Sequence, residues 1–129
     1  EFGLAFGTAY QIYDDCVDVF GSEASVGKSL GTDLASGKLT LPILVVLELA
    51  SAEEKAKLRE LVQAWRPHHL EKVLALLKRH DALNESRRVI FQFLATANKS
   101  LAVLPETEGR AALATLSEFL GRQTIALGG

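Results

Sequence analysis

Residues 2–20 read FGLAFGTAYQIYDDCVDVF, and this stretch decides the fold class. Its apolar side chains recur every three or four residues, at Phe2, Phe6, Ala9, Ile12 or Tyr13, Cys16 and Phe20. This period predicts one amphipathic helix over residues 2–20, which Gly21 is suited to end. Gly3 and Gly7, one turn apart, further predict that another backbone approaches this helix closely.

The remainder of the chain also has a helical pattern. Ser51 and Glu54 have the spacing of a capping box, which predicts a helix start. Further helices are predicted over residues 38–50, from 51 to about 65, and over 68–80, 83–103 and 106–121. We find no convincing strand, so the sequence predicts an all-α helical bundle in which residues 1–129 form a single all-helical domain or fragment.

Composition excludes several classes of protein. The chain has 129 residues, 48% of them hydrophobic and 23% charged, with a formal net charge of −2. Neither a disordered chain nor a basic nucleic-acid binder has this balance. Cys16 is the only cysteine, which fits a reducing compartment, and we expect the protein to be cytoplasmic. No apolar run reaches about 18 residues, so no transmembrane segment is predicted.

Negative charge is concentrated near three aspartates, Asp14, Asp15 and Asp18. Asp14 and Asp18 lie one turn apart on the predicted helix, and Asp15 lies about 100° round from Asp14. Carboxylates so close together repel one another, and the negative end of the helix dipole adds to the cost. A hard divalent cation such as Mg²⁺ would remove this penalty. The alternative is a solvated acidic patch on an amphipathic helix.

The residues that follow favour a diphosphate–Mg²⁺ site. Gln11 precedes Asp15 by one turn, so its amide lies near the same face. Residues 22–36 are predicted to form a long loop that contains glycine and serine, and each of the two lysines Lys28 and Lys38 follows a glycine. Metals bound by carboxylates neutralise part of a diphosphate's charge, and lysines can contact the remainder.

These motifs resemble those of a known family. The chain carries YQIYDDCVD at 10–18, GK at 27–28, GTDL at 31–34 and GKLTLP at 37–42. Their order and spacing are similar to the second aspartate-rich region of the trans-isoprenyl diphosphate synthases, or polyprenyl synthetases. The similarity is strong over residues 2–44. It implies an isoprenoid-synthase-type fold, of which this chain would be the C-terminal portion.

The resemblance also implies a reaction, in which isopentenyl diphosphate attacks an allylic diphosphate head to tail. Asp14 and Asp15 would hold Mg²⁺, or Mn²⁺ in its place, with Asp18 as a direct or water-mediated ligand. The implied contacts to substrate involve Gln11, Lys28 and Lys38, while Asp33 would organise the loop and its lysines. The residues expected to act in catalysis are Asp14, Asp15 and Lys28.

The sequence departs from the family pattern at two levels. Tyr10 stands where the family usually has Phe. The first aspartate-rich region and the arginines for isopentenyl diphosphate are absent, and the chain contains no Met. We therefore expect the C-terminal half of a longer enzyme, inactive alone, that works with the missing N-terminal half of the same chain as a homodimer. Three alternatives remain open: a non-catalytic regulatory subunit homologue, a terpene cyclase and a helical packing module with an acidic patch.

Overall fold

The computed structural model describes residues 1–20 and 38–127, which form six α-helices and one 3₁₀ turn. The helices are α1 (Phe2–Phe20), α2 (Leu41–Leu49), α3 (Ala52–Gln63), α4 (Leu70–Arg79), α5 (Ala82–Ala102) and α6 (Glu108–Ala126), with the 3₁₀ turn at Pro67–His69 before α4. The described residues contain no strand, and the predicted all-α class is confirmed. None of the described helices is long and apolar enough to cross a membrane.

The long helix α5 is the centre of the bundle. It packs against α1, α2, α4 and α6, and its contact with α1 is the most extensive. Its buried residues Ser86, Ile90, Leu94, Ala97 and Leu101 recur at spacings of three and four. This spacing places one continuous stripe of α5 against its neighbours.

Buried side chains form two cores that meet at α1. The first core joins the end of α1 to α2, α3, α4 and the start of α5, through Val19, Ile43, Val45, Val46, Ala50, Leu58, Leu61, Val73, Leu77 and Ala82. The second core joins α1, α5 and α6, through Ala9, Cys16, Val17, Ile90, Leu94, Leu120 and Leu127. Each large side chain buried in this way contributes roughly 1.5–3 kcal/mol. Helix α1 is therefore fixed from two sides near its carboxyl end.

Helix α3 begins as its sequence predicts. Ser51 Oγ accepts a hydrogen bond from the Glu54 N–H, and a Glu54 carboxylate oxygen accepts one from the Ser51 N–H. Both halves of the capping box are present, and two otherwise unpaired amides are satisfied.

Three predicted helices have different bounds in the structure. Helix α2 begins at Leu41 and not at residue 38, because Thr40 is extended and Pro42 occupies the first turn. The predicted helix 68–80 is a 3₁₀ turn followed by α4, which begins at Leu70. Helix α6 begins at Glu108, where the Thr107 side chain accepts from the Arg110 N–H, and continues past Gly121 to Ala126.

The predicted role of the two glycines in α1 is not met by the described residues. Gly3 and Gly7 lie on an exposed side of α1, and a Cβ built on either glycine would meet no described atom within 4 Å apart from its chain neighbours and the backbone of α1 itself. No described backbone therefore makes the close approach that their spacing predicts.

Candidate functional site

The carboxyl-terminal half of α1 presents its three aspartates in two environments. Asp14 is exposed, whereas Asp15 and Asp18 are 8% and 1% exposed. A charged carboxylate is costly to bury unless it is paired, hydrogen-bonded or bound to a cation. The alternative of a solvated acidic patch is therefore wrong for Asp15 and Asp18.

Asp15 is the focus of the polar contacts on this helix. Its Oδ1 accepts a hydrogen bond from Gln11 Nε2 at 3.1 Å and another from Lys38 Nζ at 3.1 Å. Gln11 lies one helical turn before Asp15, which gives its amide the reach that the sequence predicts. Both donors meet the same carboxylate oxygen, so they fix the rotamer of Asp15.

Lys38 reaches Asp15 from a distant part of the sequence. Its side chain is 46% exposed, while that of Asp15 is 10% exposed, so the ion pair lies at the boundary between core and solvent. Thr40, two residues later, is buried, and its carbonyl accepts the first hydrogen bond of α2 from the Leu44 N–H at 3.0 Å. The anchored start of α2 thus positions Lys38 beside the end of α1.

Two predicted site residues cannot be placed in this geometry. Lys28 and Asp33 lie outside the described residues, as does the predicted loop over residues 22–36. Among the predicted site residues that are described, Gln11, Asp15 and Lys38 are brought into direct contact. Asp14 and Asp18 lie on the same half of α1. The sequence predicts each of these residues near a diphosphate but gives no signal for the bond between Asp15 and Lys38.

Cys16 lies between the aspartates but is turned into the second core. It is fully buried. Burial raises the pKa of its thiol to about 12, and the neighbouring Ser86 hydroxyl and the Arg87 charge oppose this rise only in part. A thiol in this state is neutral at physiological pH, so Cys16 acts as a small core residue and not as a nucleophile.

Aromatic side chains follow α1 from its start toward the aspartates. Successive ring centroids are 5.5 Å apart for Phe2 and Phe6, 6.5 Å for Phe6 and Tyr10, and 6.3 Å for Tyr10 and Tyr13. The pKa of Tyr13 is raised by partial burial and by the nearby Tyr10 and Asp14. Its hydroxyl therefore remains protonated and gives the site a neutral polar group next to the acidic cluster.

No metal cage is complete among residues 1–20 and 38–127, since these ranges contain no group of three or more His, Cys, Asp or Glu side chains able to hold a metal ion. The donor set on α1 nevertheless suits Mg²⁺, because Asp14, Asp15 and Asp18 offer only hard carboxylate oxygens. Magnesium is usually bound through one or two carboxylates together with waters and substrate phosphates, and not by an all-protein cage. The magnesium site predicted from the sequence remains a prediction.

The described helices and the paired carboxylate at the end of α1 define an all-α protein with an acidic polar site on a long helix. The family model for polyprenyl synthetase matches residues 1–79, which is more than half of the chain. The chain therefore belongs to the polyprenyl synthetase family, and the resemblance identified from its motifs is confirmed.

Individual relatives agree with this assignment. A short chain isoprenyl diphosphate synthase from Methanothermobacter thermautotrophicus is 32% identical over 120 residues, which are 93% of this chain and 37% of that protein. A nonaprenyl diphosphate synthase from Mycobacterium tuberculosis is 36% identical over 119 residues, 91% of this chain and 35% of that protein. The chain spans little more than a third of the length of these relatives.

A solved structure extends the similarity to the fold. The crystal structure of a decaprenyl diphosphate synthase from Rhodobacter capsulatus superposes with a TM-score of 0.84 at 32% sequence identity. The match covers 95% of this chain and 38% of that one. The helices described above are thus arranged as they are in part of that synthase.

Proposed function

We propose that this chain supplies the second magnesium- and diphosphate-binding half of the active site of a polyprenyl diphosphate synthase, an enzyme of isoprenoid biosynthesis. The observation that carries the proposal is the position of Asp15. It is a nearly buried carboxylate next to the exposed Asp14, and Lys38 and Gln11 hold its Oδ1 at 3.1 Å each. In this member of the family, the Lys38 ammonium, the Asp15 carboxylate and the Gln11 amide thus meet at one point between core and solvent.

The proposed reaction joins an allylic diphosphate to isopentenyl diphosphate. The carbon–oxygen bond of the allylic substrate breaks, and its electron pair leaves with the diphosphate. The double bond of isopentenyl diphosphate then supplies the electrons of the new carbon–carbon bond, and loss of a proton restores a double bond. Negative charge builds up on the departing diphosphate, so groups that stabilise it there lower the barrier.

Lys38 is the described residue best suited to meet that charge. Its ammonium is half-exposed beside Asp15, so it lies at the surface where a diphosphate would arrive. The ion pair to Asp15 holds the lysine in place before substrate binds, which reduces the reorganisation needed during reaction. Lys28 would be a second lysine contact, and Asp33 would organise the loop between them.

Asp14, Asp15 and Asp18 would hold the magnesium, or manganese in its place. Bound metal would neutralise charge on the leaving diphosphate. The burial of Asp15 and Asp18 supports this role, because a low-dielectric surrounding strengthens a carboxylate's attraction for a cation. Gln11 would keep Asp15 oriented and lie beside the diphosphate or the reacting carbons.

The rest of the active site would lie outside these 129 residues. The first aspartate-rich region and the isopentenyl diphosphate site would come from an N-terminal half of the same protein, and the whole would act as a homodimer. The 129 residues alone would bind diphosphate weakly and would not elongate a prenyl chain.

The test uses the protein purified at its natural length, with an allylic diphosphate, labelled isopentenyl diphosphate and a magnesium titration. Asp14→Ala and Asp15→Ala should each lower kcat/KM by at least about a hundredfold, whereas the exposed control Glu118→Ala should leave it unchanged. Unchanged incorporation of label in both aspartate variants would overturn the proposal.

The same assay separates the alternatives. A terpene cyclase would consume the allylic diphosphate whether or not isopentenyl diphosphate is present. A regulatory homologue would bind magnesium and diphosphate but would convert neither substrate at any magnesium concentration. Label incorporated into a longer prenyl chain is the result expected for a synthase.

A further inference from the structure

One side chain of α5 holds the carboxyl end of α6. The Arg87 guanidinium donates hydrogen bonds to the Thr124 carbonyl at 3.1 Å, to the Ile125 carbonyl at 3.2 Å and to the Leu127 carbonyl. Its remaining nitrogen donates to Asn84 Oδ1 at 2.9 Å, which fixes the plane of the guanidinium. Arg87 therefore spans 37 to 40 residues of sequence to meet the last turn of the last helix.

The Arg87 contacts provide hydrogen-bond donors for carbonyls at the carboxyl end of α6. The last four carbonyls of a helix have no partner within it, and a positive charge at that end also complements the helix dipole. The planar fork of arginine can serve several carbonyls at once, which a lysine ammonium on its flexible stem does less well. The neighbouring Arg88 behaves differently, since it is exposed and, among residues 1–20 and 38–127, bonds only to Glu85 of its own helix.

The end of α6 shares a buried cluster with the aspartate-bearing half of α1. Leu127, which follows α6, is buried in the second core together with Cys16 and Val17 of α1. These two α1 residues lie between Asp15 and Asp18 in the sequence. Arg87 thus secures a residue of the buried cluster that also contains the α1 segment from which the buried carboxylates project.

We propose that Arg87 is a positioning residue for the aspartate-bearing half of α1, acting through the carboxyl end of α6. Without its guanidinium, the last turn of α6 would fray and withdraw Leu127 from the second core. Residues 14–20 of α1 would then open more often, and Asp15 and Asp18 would spend less time in their buried positions. The catalytic consequence rests on the proposed function, whereas the opening of α1 does not.

The first experiment needs neither metal nor substrate. Amide hydrogen exchange is followed by mass spectrometry in the natural-length protein and in Arg87→Gln, Arg87→Lys and Arg88→Gln. Exchange at residues 14–20 should rise about tenfold in Arg87→Gln, corresponding to the loss of one charged hydrogen-bonding group. Arg87→Lys keeps the charge and should show a smaller rise, about threefold, and Arg88→Gln should match wild type.

Two results would overturn the inference. One is faster exchange confined to the end of α6, with residues 14–20 unchanged, since Arg87 would then serve α6 alone. The other is an equal rise over the whole chain, as expected from general loss of stability. Leu77→Ala in the first core provides the matched control, because it lowers global stability without touching α6 or Leu127.

A second measurement connects the opening of α1 to ligand binding. The magnesium concentration needed for half of the thermal stabilisation by inorganic diphosphate should rise several-fold in Arg87→Gln and stay at the wild-type value in Arg88→Gln. If the wild-type protein does not transfer prenyl groups but exchange at 14–20 still responds to Arg87, the proposed function fails and this inference stands. If prenyl transfer is present and neither exchange nor the magnesium requirement responds, this inference fails alone.

Discussion

Two carboxylates of this molecule, Asp15 in α1 and Glu54 in α3, are held by basic groups from later in the chain, yet they are used differently. Glu54 is bonded by the Ser51 backbone and hydroxyl at 3.2 and 3.3 Å, and it pairs with Arg79 at 3.3 Å and His80 at 3.2 Å. These partners engage both of its carboxylate oxygens. The Glu54 carboxylate therefore caps the start of α3 and links α3 to the end of α4.

Asp15 has fewer partners than Glu54, and they contact its carboxylate at one oxygen instead of two. Gln11 and Lys38 meet a single oxygen of the carboxylate, and Lys38 remains half-exposed. Asp15 also lies next to two further carboxylates of the same helix half, where like charges disfavour one another. Glu54, whose partners are the cap residue Ser51 and the two basic residues at the end of α4, stabilises the fold, whereas a buried carboxylate among other acids is suited to bind a cation.

The largest expected effect comes from removing the charge of Asp15 while keeping its shape. Asp15→Asn should lower kcat/KM for prenyl transfer about a thousandfold, because the amide binds magnesium poorly. Its melting temperature should stay within a few degrees of wild type, since repulsion within the cluster is relieved. The matched variant Glu54→Gln should do the reverse, keeping activity and lowering the melting temperature. Equal losses of activity in both variants would remove the distinction between the two carboxylates.

The lysine that holds Asp15 should have the next largest effect. Lys38→Gln should lower kcat about a hundredfold, because a positive group facing the departing diphosphate is lost. Steady-state kinetics at saturating magnesium measures this, with exposed Lys72→Gln as control. Wild-type kcat in Lys38→Gln would mean that the ion pair to Asp15 is structural, like the contacts of Glu54.

Local sequence rules were sufficient wherever the deciding contacts are local. The period of residues 2–20 gives α1 with its observed bounds, and the three-residue spacing of Ser51 and Glu54 gives the capping box. The same rules fail where the contacts are distant. Gly121 resembles a helix stop, but it lies inside α6 against Phe91 of α5, which a Cβ would approach to 3.5 Å.

The candidate site shows the same division. Helical spacing places the three aspartates and Gln11 on one half of α1, but it does not show which carboxylates are buried. Burial of Asp15 and Asp18 depends on what covers the helix, and the bond to Lys38 depends on where α2 begins. Arg87 and Arg88 resemble a solvated pair in the sequence. Only the last turn of α6, some 40 residues away, shows that Arg87 is an anchor.

A smaller effect is expected at the capping box. Ser51→Ala removes the hydroxyl that accepts from the Glu54 N–H and should lower the free energy of unfolding by about 1 kcal/mol. Urea denaturation measures the change, and Ser100→Ala, whose hydroxyl donates to Thr96 within α5, serves as control. Prenyl transfer should be unaffected. A loss of activity without loss of stability would place the α3 start in the site and contradict the comparison.

The smallest effect is a pH dependence specific to Glu54. Its pKa is lowered in the folded protein, chiefly by the hydrogen bond from the Ser51 backbone and further by Arg79 and His80. The unfolded chain binds the proton more readily, so the stabilisation is complete above the ordinary glutamate pKa of about 4.3 and is lost as pH falls through the lowered value.

The urea midpoint of wild type should therefore fall more steeply between pH 5 and pH 3 than that of Glu54→Gln. Glu85, whose pKa is also lowered by its bond with Arg88, changes both proteins alike and cancels in the difference. Parallel curves for the two proteins would show that the Glu54 contacts do not persist in solution, and the contrast with Asp15 would then rest on burial alone.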